Sequence, residues 1–145
     1  MKRTIKFRAK SLCAGWVYGY VIHRERLFYT ERWVMHVPST GIEWDIDEDT
    51  IGQFTELHDK NGKEIYEGDI VECVSLYEYF SNGDGPMEPF RRKMYVDFRK
   101  GGFKMVEPMP EPMKDNEWDI IYNGDIVVIG NIYDNPGLID MKRLG

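Results

Sequence analysis

Cysteine and histidine are scarce in this chain of 145 residues, at two and three copies. Cys13 and Cys73 follow no metal or redox spacing, so free thiols in a reducing compartment are expected. His23, His36 and His58 are too dispersed for a ligand or catalytic set, and a metal site would have to assemble in space from His36, His58 and an acid such as Asp59. No apolar run reaches the roughly 18 residues that cross a bilayer, and the opening MKRTIKFRAK lacks the apolar stretch of a signal peptide. A cytoplasmic protein without a membrane partner is the expectation. A G-x-S-x-G elbow, a P-loop and a Gly-rich dinucleotide turn are all missing. No cofactor, catalytic residue or metal ligand is assigned.

What the chain does have is rings and unevenly placed charge. Aromatic residues make up 14%, and 17.1 kDa is enough to bury about two thirds of the surface exposed by the unfolded chain. The net charge of −6 splits into +6 over residues 1–36 and −12 over the remaining 109. Such polarity suits a nucleic-acid surface on the basic side, a partner protein, or a second copy of the chain.

Period-two alternation dominates, the mark of strands with one buried face. Ile5 to Arg8, Trp16 to Ile22, Leu27 to Val37 and Ile42 to Ile46 read as strands of an N-terminal β region, residues 1–50. Ile51 to Leu57 and Lys63 to Tyr66 read as a hairpin, since Asn61-Gly62 supplies the left-handed backbone a tight turn needs. Gly68 turns the chain into Asp69 to Leu76. Lys93 to Phe98 and Phe103 to Val106 form a second hairpin across Arg99 to Gly102. The stretches Ser81 to Pro89 and Glu107 to Glu117 read as loops, the second too rich in proline to ladder as a strand. Trp118 to Tyr122 and Asp125 to Tyr133 are the last strands, and a short C-terminal helix follows, capped by Asn135 with Pro136 in its first turn. The pattern Y-x-G-D-I-V occurs at Tyr66 to Val71 and at Tyr122 to Val127, which duplication or convergent turn chemistry would both explain.

Asp45, Asp47, Asp49 and Glu56 occupy positions 1, 3, 5 and 12 of an EF-hand loop, but Thr50 stands where the sharp turn needs glycine and neither flank reads as a helix. A solvated acidic turn is the plainer reading. Two of the chain's 25 acids could pair as an acid and base for hydrolysis, but abundance singles out none of them. The sharper candidate is the basic and aromatic N-terminal third, with Lys6, Arg8, Arg24, Arg26 and Arg32 among Tyr18, Tyr20, Tyr29 and Trp33. Cations bind phosphates and rings stack on bases, so this mixture on one sheet face would suit single-stranded nucleic acid. Alternation argues the other way: it expects the rings in the core and the cations on the opposite, wet face.

Two stretches resemble a known family. Residues 50–71, TIGQFTELHDKNGKEIYEGDIV, and the closing IGNIYDNP over Ile129 to Pro136 are similar to the YopX family of bacteriophage and prophage proteins, with weaker likeness at Ile5 to Ala9 and Tyr95 to Phe103. The resemblance implies a mainly β, antiparallel protein with an SH3-like barrel over residues 51–145, and it carries over no catalytic residues. The signature residues read as structural: Gly52, Asn61, Gly62, Gly68, Asp69, Gly130 and Pro136 as backbone devices, and Ile65, Tyr66, Ile70 and Val71 as core. The expected role is a phage or prophage accessory protein, a non-enzymatic module for a protein partner that could also self-associate. Nucleic-acid binding and, further off, metal-dependent or acid-base hydrolysis are the alternatives.

Overall fold

A computed structural model describes residues 2–25, 31–75, 90–120 and 125–139. The protein is mainly β with antiparallel sheets, and it divides into two compact units, residues 1–56 and 57–145. Among the described residues no helix is long and apolar enough to cross a membrane.

The first unit is built from β1 (Phe7–Lys10), β2 (Trp16–Arg24), β3 (Arg32–Val37), β4 (Ile42–Asp45), a 3-10 turn at Glu48–Thr50 and β5 (Gly52–His58), the last running on into the second unit. Strand order is β4-β3-β2-β1-β5. Alternation decides which face is buried. Ala9, Val17 and Met35 turn inward with Ile46, and Phe7, Val21, Trp33, Val37, Trp44 and Ile51 pack around them. Beyond Lys10 the chain meets the end of β4, where Ser11 bridges Ile46 and Leu12 N–H donates to the Asp45 carbonyl at 3.0 Å. Asp47 caps the 3-10 turn by accepting from Asp49 N–H at 3.1 Å. The acidic run that mimics an EF-hand is thus a capped turn, with Asp45 turned to Arg32 and Glu56 beside Arg3.

β2 changes partner along its length: Trp16 to Gly19 pair with β1, and Tyr20 to Arg24 pair with β3. The switch falls at Gly19, whose φ is +155° and whose missing side chain leaves room for the His36 carbonyl. Any Cβ there would strike that oxygen.

The second unit contains β6 (Glu64–Tyr66), β7 (Asp69–Ser75), β8 (Phe90–Arg99), β9 (Gly102–Glu107), β10 (Asn116–Asp119) and β11 (Val127–Asn131), with the five-stranded order β10-β9-β8-β7-β11. Both faces of this sheet are covered at its centre, where Ile70-Val71 of β7 and Met94-Tyr95-Val96 of β8 are apolar on both sides. On one face Val71, Met94, Val96 and Met105 pack with Ile65, Cys73, Ile120, Ile126 and Val128. On the other, Ile70, Tyr95 and Val106, aligned across three strands, pack with Ile139. Full burial of an aliphatic side chain such as Ile65 or Val71 contributes about 1.5–3 kcal/mol. Burial also pushes up the Cys73 thiol.

Three expectations are corrected. The sheet expected to form an SH3-like barrel over 51–145 is open: β10 and β11 end its strand order, and among the described residues no ladder closes it. The C-terminal helix is only a 3-10 turn at Pro136–Leu138, because Asn135 does not cap it. Its side chain reaches back to Asn131 N–H at 3.2 Å, and Ile139 is already extended. The proline-rich connection ends in a strand, since β10 begins at Asn116 and pairs with β9. The Ser81 to Pro89 loop and the Tyr122 to Gly124 half of the internal echo lie outside the described residues.

Gly19→Ala should cost more than about 2 kcal/mol, because its Cβ meets backbone that cannot rotate away. Gly102→Ala meets open space and should change stability by less than about 0.5 kcal/mol, with urea unfolding of both variants as the check.

Candidate interaction surface

Pairing register brings the N-terminal cations and rings to one face. Arg8 lies opposite Tyr18 and Lys10 opposite Trp16, and residues directly across an antiparallel ladder share a side. Tyr20 pairs with His36, and Arg24 with Arg32, further along the same face. The expected separation of inward rings from outward cations is therefore wrong here. The inward positions of β2 belong to Val17, Gly19 and Val21, which leaves its large rings outside. The Arg8 guanidinium is buried over the Trp16 ring at 4.8 Å, Lys10 Nζ lies 5.8 Å from the same ring, and Lys6 Nζ lies 4.9 Å from Phe54.

The electrostatics differ from what the first 36 residues suggest. β4 places acids beside the arginines of β2 and β3: Arg24 donates to Glu43 and Arg32 to Asp45, each at 2.6 Å. The bond to Asp45 and its charge raise the Arg32 guanidinium above its ordinary value. The first unit holds eight basic and eight acidic side chains, so the excess of residues 1–36 is cancelled by residues 43–56 within the same unit. Arg26 lies outside the described residues.

Toward the other end of the β2–β3 ladder is a cleft of about 550 Å³ lined by Lys6, Trp16 to Tyr20, Val37 to Thr40, Ile42 and Trp44. Its lining is largely apolar, yet Tyr18, Tyr20 and Ile42 are 47%, 52% and 47% exposed. Sequence reasoning missed the cleft because Ile42, Trp44 and Pro38 come from a different hairpin than the tyrosines. Only strand register joins them.

The signature residues lie elsewhere and hold backbone together. Asp59 is buried, and its carboxylate accepts from Asn61 N–H (2.8 Å) and Lys63 N–H (2.9 Å) on Oδ1 and from Val128 N–H (3.0 Å) on Oδ2. Burial opposes its charge, but these three donors outweigh burial and hold the group below the usual carboxylate range. Asp59 is thereby a backbone tie; the spatial metal set imagined from it does not form, and no group of three metal-ligating side chains occurs among the described residues. Gly62 turns with φ +82° and Gly68 with φ +91°. Asp69 accepts from Tyr66 N–H at 2.7 Å, while Gly68 N–H donates to Val96 and its carbonyl receives Ile132 N–H. Gly130 gives way to Asn135, whose Oδ1 would sit 2.5 Å from a Cβ there. Gly52 is buried beside Arg8 in the β1–β5 ladder, Pro136 opens the 3-10 turn, and Ile65, Tyr66, Ile70 and Val71 are core.

A second cleft, about 620 Å³, lies where β8 and β9 meet the proline-rich turn and is polar. Arg99 fills one side, bonded to Asp97 and Glu117 at 2.9 Å and to the Tyr95 hydroxyl at 2.8 Å. Those carboxylates raise Arg99, the bonds from Arg99 and Lys100 lower Glu117, and burial pushes Tyr95 up to about 12. The bonding capacity of Arg99 is spent on the protein itself.

The fold is mainly β, built from two antiparallel sheets. Residues 6–140 match the YopX protein family, and the chain belongs to it. Among solved structures, protein EF1440 from Enterococcus faecalis is similar at 25% identity and a TM-score of 0.48, covering 95% of this chain and 99% of that one. No curated protein matches.

Asp59→Asn puts an NH₂ donor on an oxygen site that now accepts an N–H, and should cost about 2–4 kcal/mol at pH 7. Because the folded carboxyl titrates below its unfolded value of about 3.9, its contribution is full above that pH and lost as pH falls through the folded value. Urea unfolding from pH 7 to pH 2 should show the gap between wild type and variant narrowing at the acid end.

Proposed function

We propose that this protein is a non-enzymatic binding module that docks a protein partner in the cleft of residues 1–56, and that it serves as an accessory protein of a phage or prophage in the cytoplasm of the host. The observation that carries the first part is the exposure of Tyr18, Tyr20 and Ile42 around an apolar cleft. Interface anchors are typically aromatic side chains in such pockets, each worth about 2 kcal/mol or more. Family membership supports the second part. An SH3-like arrangement finds its support in the first unit rather than in 51–145: a meander β1 to β4, a 3-10 turn, and β5 returning to β1.

Nucleic-acid binding is the second reading, favoured by the shared face of cations and rings. The balance of charge weighs against it. Phosphate affinity grows with the number of cations that replace counterions, and Arg24 and Arg32 already hold acids in a unit of zero formal charge.

Tagged protein in bacterial host lysate, with and without nuclease, separates the two. Capture of a nuclease-resistant protein is expected, weakened by at least about 30-fold in Tyr18→Ser/Tyr20→Ser and unchanged in Arg24→Gln/Arg32→Gln. Capture of nuclease-sensitive material that depends on the arginines would replace this reading with the second.

A further inference from the structure

We infer that Asn61 is a modification site: the Asn61-Gly62 pair deamidates spontaneously once the β5–β6 turn opens, and the bonds of Asp59 hold the reaction off while the turn stays closed. The chemistry needs only the two residues and water. The Gly62 backbone nitrogen, having given up its proton, attacks Cγ of the Asn61 side chain; a C–N bond forms, the side-chain nitrogen leaves as ammonia and a five-membered imide remains. Water opens the imide at either carbonyl and leaves an aspartyl or an isoaspartyl residue at this position. Glycine is the most permissive follower, because no Cβ crowds the attacking nitrogen.

Burial does nothing to prevent this. Asn61 and Gly62 are both exposed, and a Cβ built at Gly62 would meet nothing within 4 Å, so water and base reach the pair. The restraint lies in the backbone. Gly62 N–H, the group that must be deprotonated, donates to the Asp59 carbonyl at 2.9 Å. On either side of it, Asn61 N–H and Lys63 N–H donate to one oxygen of the Asp59 carboxylate at 2.8 and 2.9 Å, while the other oxygen is anchored on Val128 N–H at 3.0 Å. Asp59 N–H is taken by the Lys63 carbonyl and Lys60 N–H by that of Ile126, so each backbone donor from 59 to 63 is engaged. Attack on Cγ therefore waits for local opening of the turn, and the carboxylate that grips both flanks of Gly62 sets how often that happens. The isoaspartyl product cannot close again in the same way. Its main chain carries an extra methylene between the two nitrogens that a single Asp59 oxygen now holds, so a transient opening becomes permanent.

Peptide mapping by mass spectrometry of the full chain, held in mildly alkaline buffer and sampled over weeks, tests this, with the same chain in concentrated guanidinium chloride as the open reference. Two further Asn-Gly pairs, Asn82-Gly83 and Asn123-Gly124, lie outside the described residues, and mapping keeps their conversion apart from that of Asn61. In folded wild type Asn61 should convert at least about tenfold more slowly than in the denaturant, and Asp59→Ala should remove most of that protection without denaturant, because both flanking donors are released together. Gly130→Ala, whose Cβ strikes Asn135, perturbs the same unit away from the turn and should leave the rate at Asn61 within about twofold of wild type. Circular dichroism confirms that each variant is folded; where Asp59→Ala is not, Asp59→Glu, which keeps the charge and misplaces its oxygens, takes its place. Conversion as fast in the folded wild type as in the denaturant, no acceleration in the Asp59 variant, or equal acceleration in Gly130→Ala overturns the inference.

Discussion

The second unit depends on a buried carboxylate that stays charged. Asp59 sits where the β5–β6 turn meets the start of β11, and its carboxylate answers the buried Val128 N–H together with the part-buried N–H groups of Asn61 and Lys63. An orphaned buried donor costs about 1–3 kcal/mol. One aspartate removes that cost at Val128 while tying down the turn at Asn61 and Lys63, and Lys60 N–H bonding to the Ile126 carbonyl adds a fourth link. Asp69, Gly68 and Asn135 repeat the device where β6 turns into β7 and where β11 ends. Irregular backbone is thereby confined to points where a side chain or a neighbouring strand answers it, and the sheet between can be apolar on both faces.

The first unit follows a different rule. In its sheet Ala9, Val17 and Met35 form one apolar face, while the other carries the exposed Tyr18 and Tyr20 beside buried Arg8 and Val34. Formal charge counted along the chain makes that region look basic. Folding undoes the impression, because the β3–β4 hairpin carries Glu43 and Asp45 back alongside Arg24 and Arg32. What remains is a surface whose distinguishing property is exposed ring area rather than field. Such a surface discriminates by shape and desolvation, which suits a protein ligand better than a polyanion.

Legibility in the sequence followed the range of the interaction. The hairpin across Arg99 to Gly102 and the turn at Asn61-Gly62 were visible because their determinants are neighbours in the chain. The side of β2 that would be buried was not, since alternation states only that two faces differ, and the strands pairing with Trp16 and Tyr20 decide which is covered. Asn135 before Pro136 carried a sound helix-capping signal, but the amide bonded backward to Asn131, a choice that depends on Gly130 leaving room. The start of β10, ahead of the strand expected from Trp118, was hidden for a similar reason. Glu117 looks like a loop residue until Arg99 and Lys100 are seen to pair with it across the sheet.

The residues that identify the family and those that line the cleft are almost wholly different. Asp59, Asn61, Gly62, Gly68, Asp69 and Gly130 all lie in residues 57–145 and are spent on backbone. Tyr18, Tyr20, Ile42 and Trp44 lie in residues 1–56 and outside the signature. A motif made of turns and carboxylate ties constrains the fold, because losing the Asp59 carboxylate unpairs a buried donor, a side chain at Gly62 or Gly68 strains a left-handed turn, and one at Gly130 strikes Asn135. It places no demand on an exposed tyrosine. Recognition of the family therefore reaches the architecture and stops there, because the signature residues specify backbone and not a site.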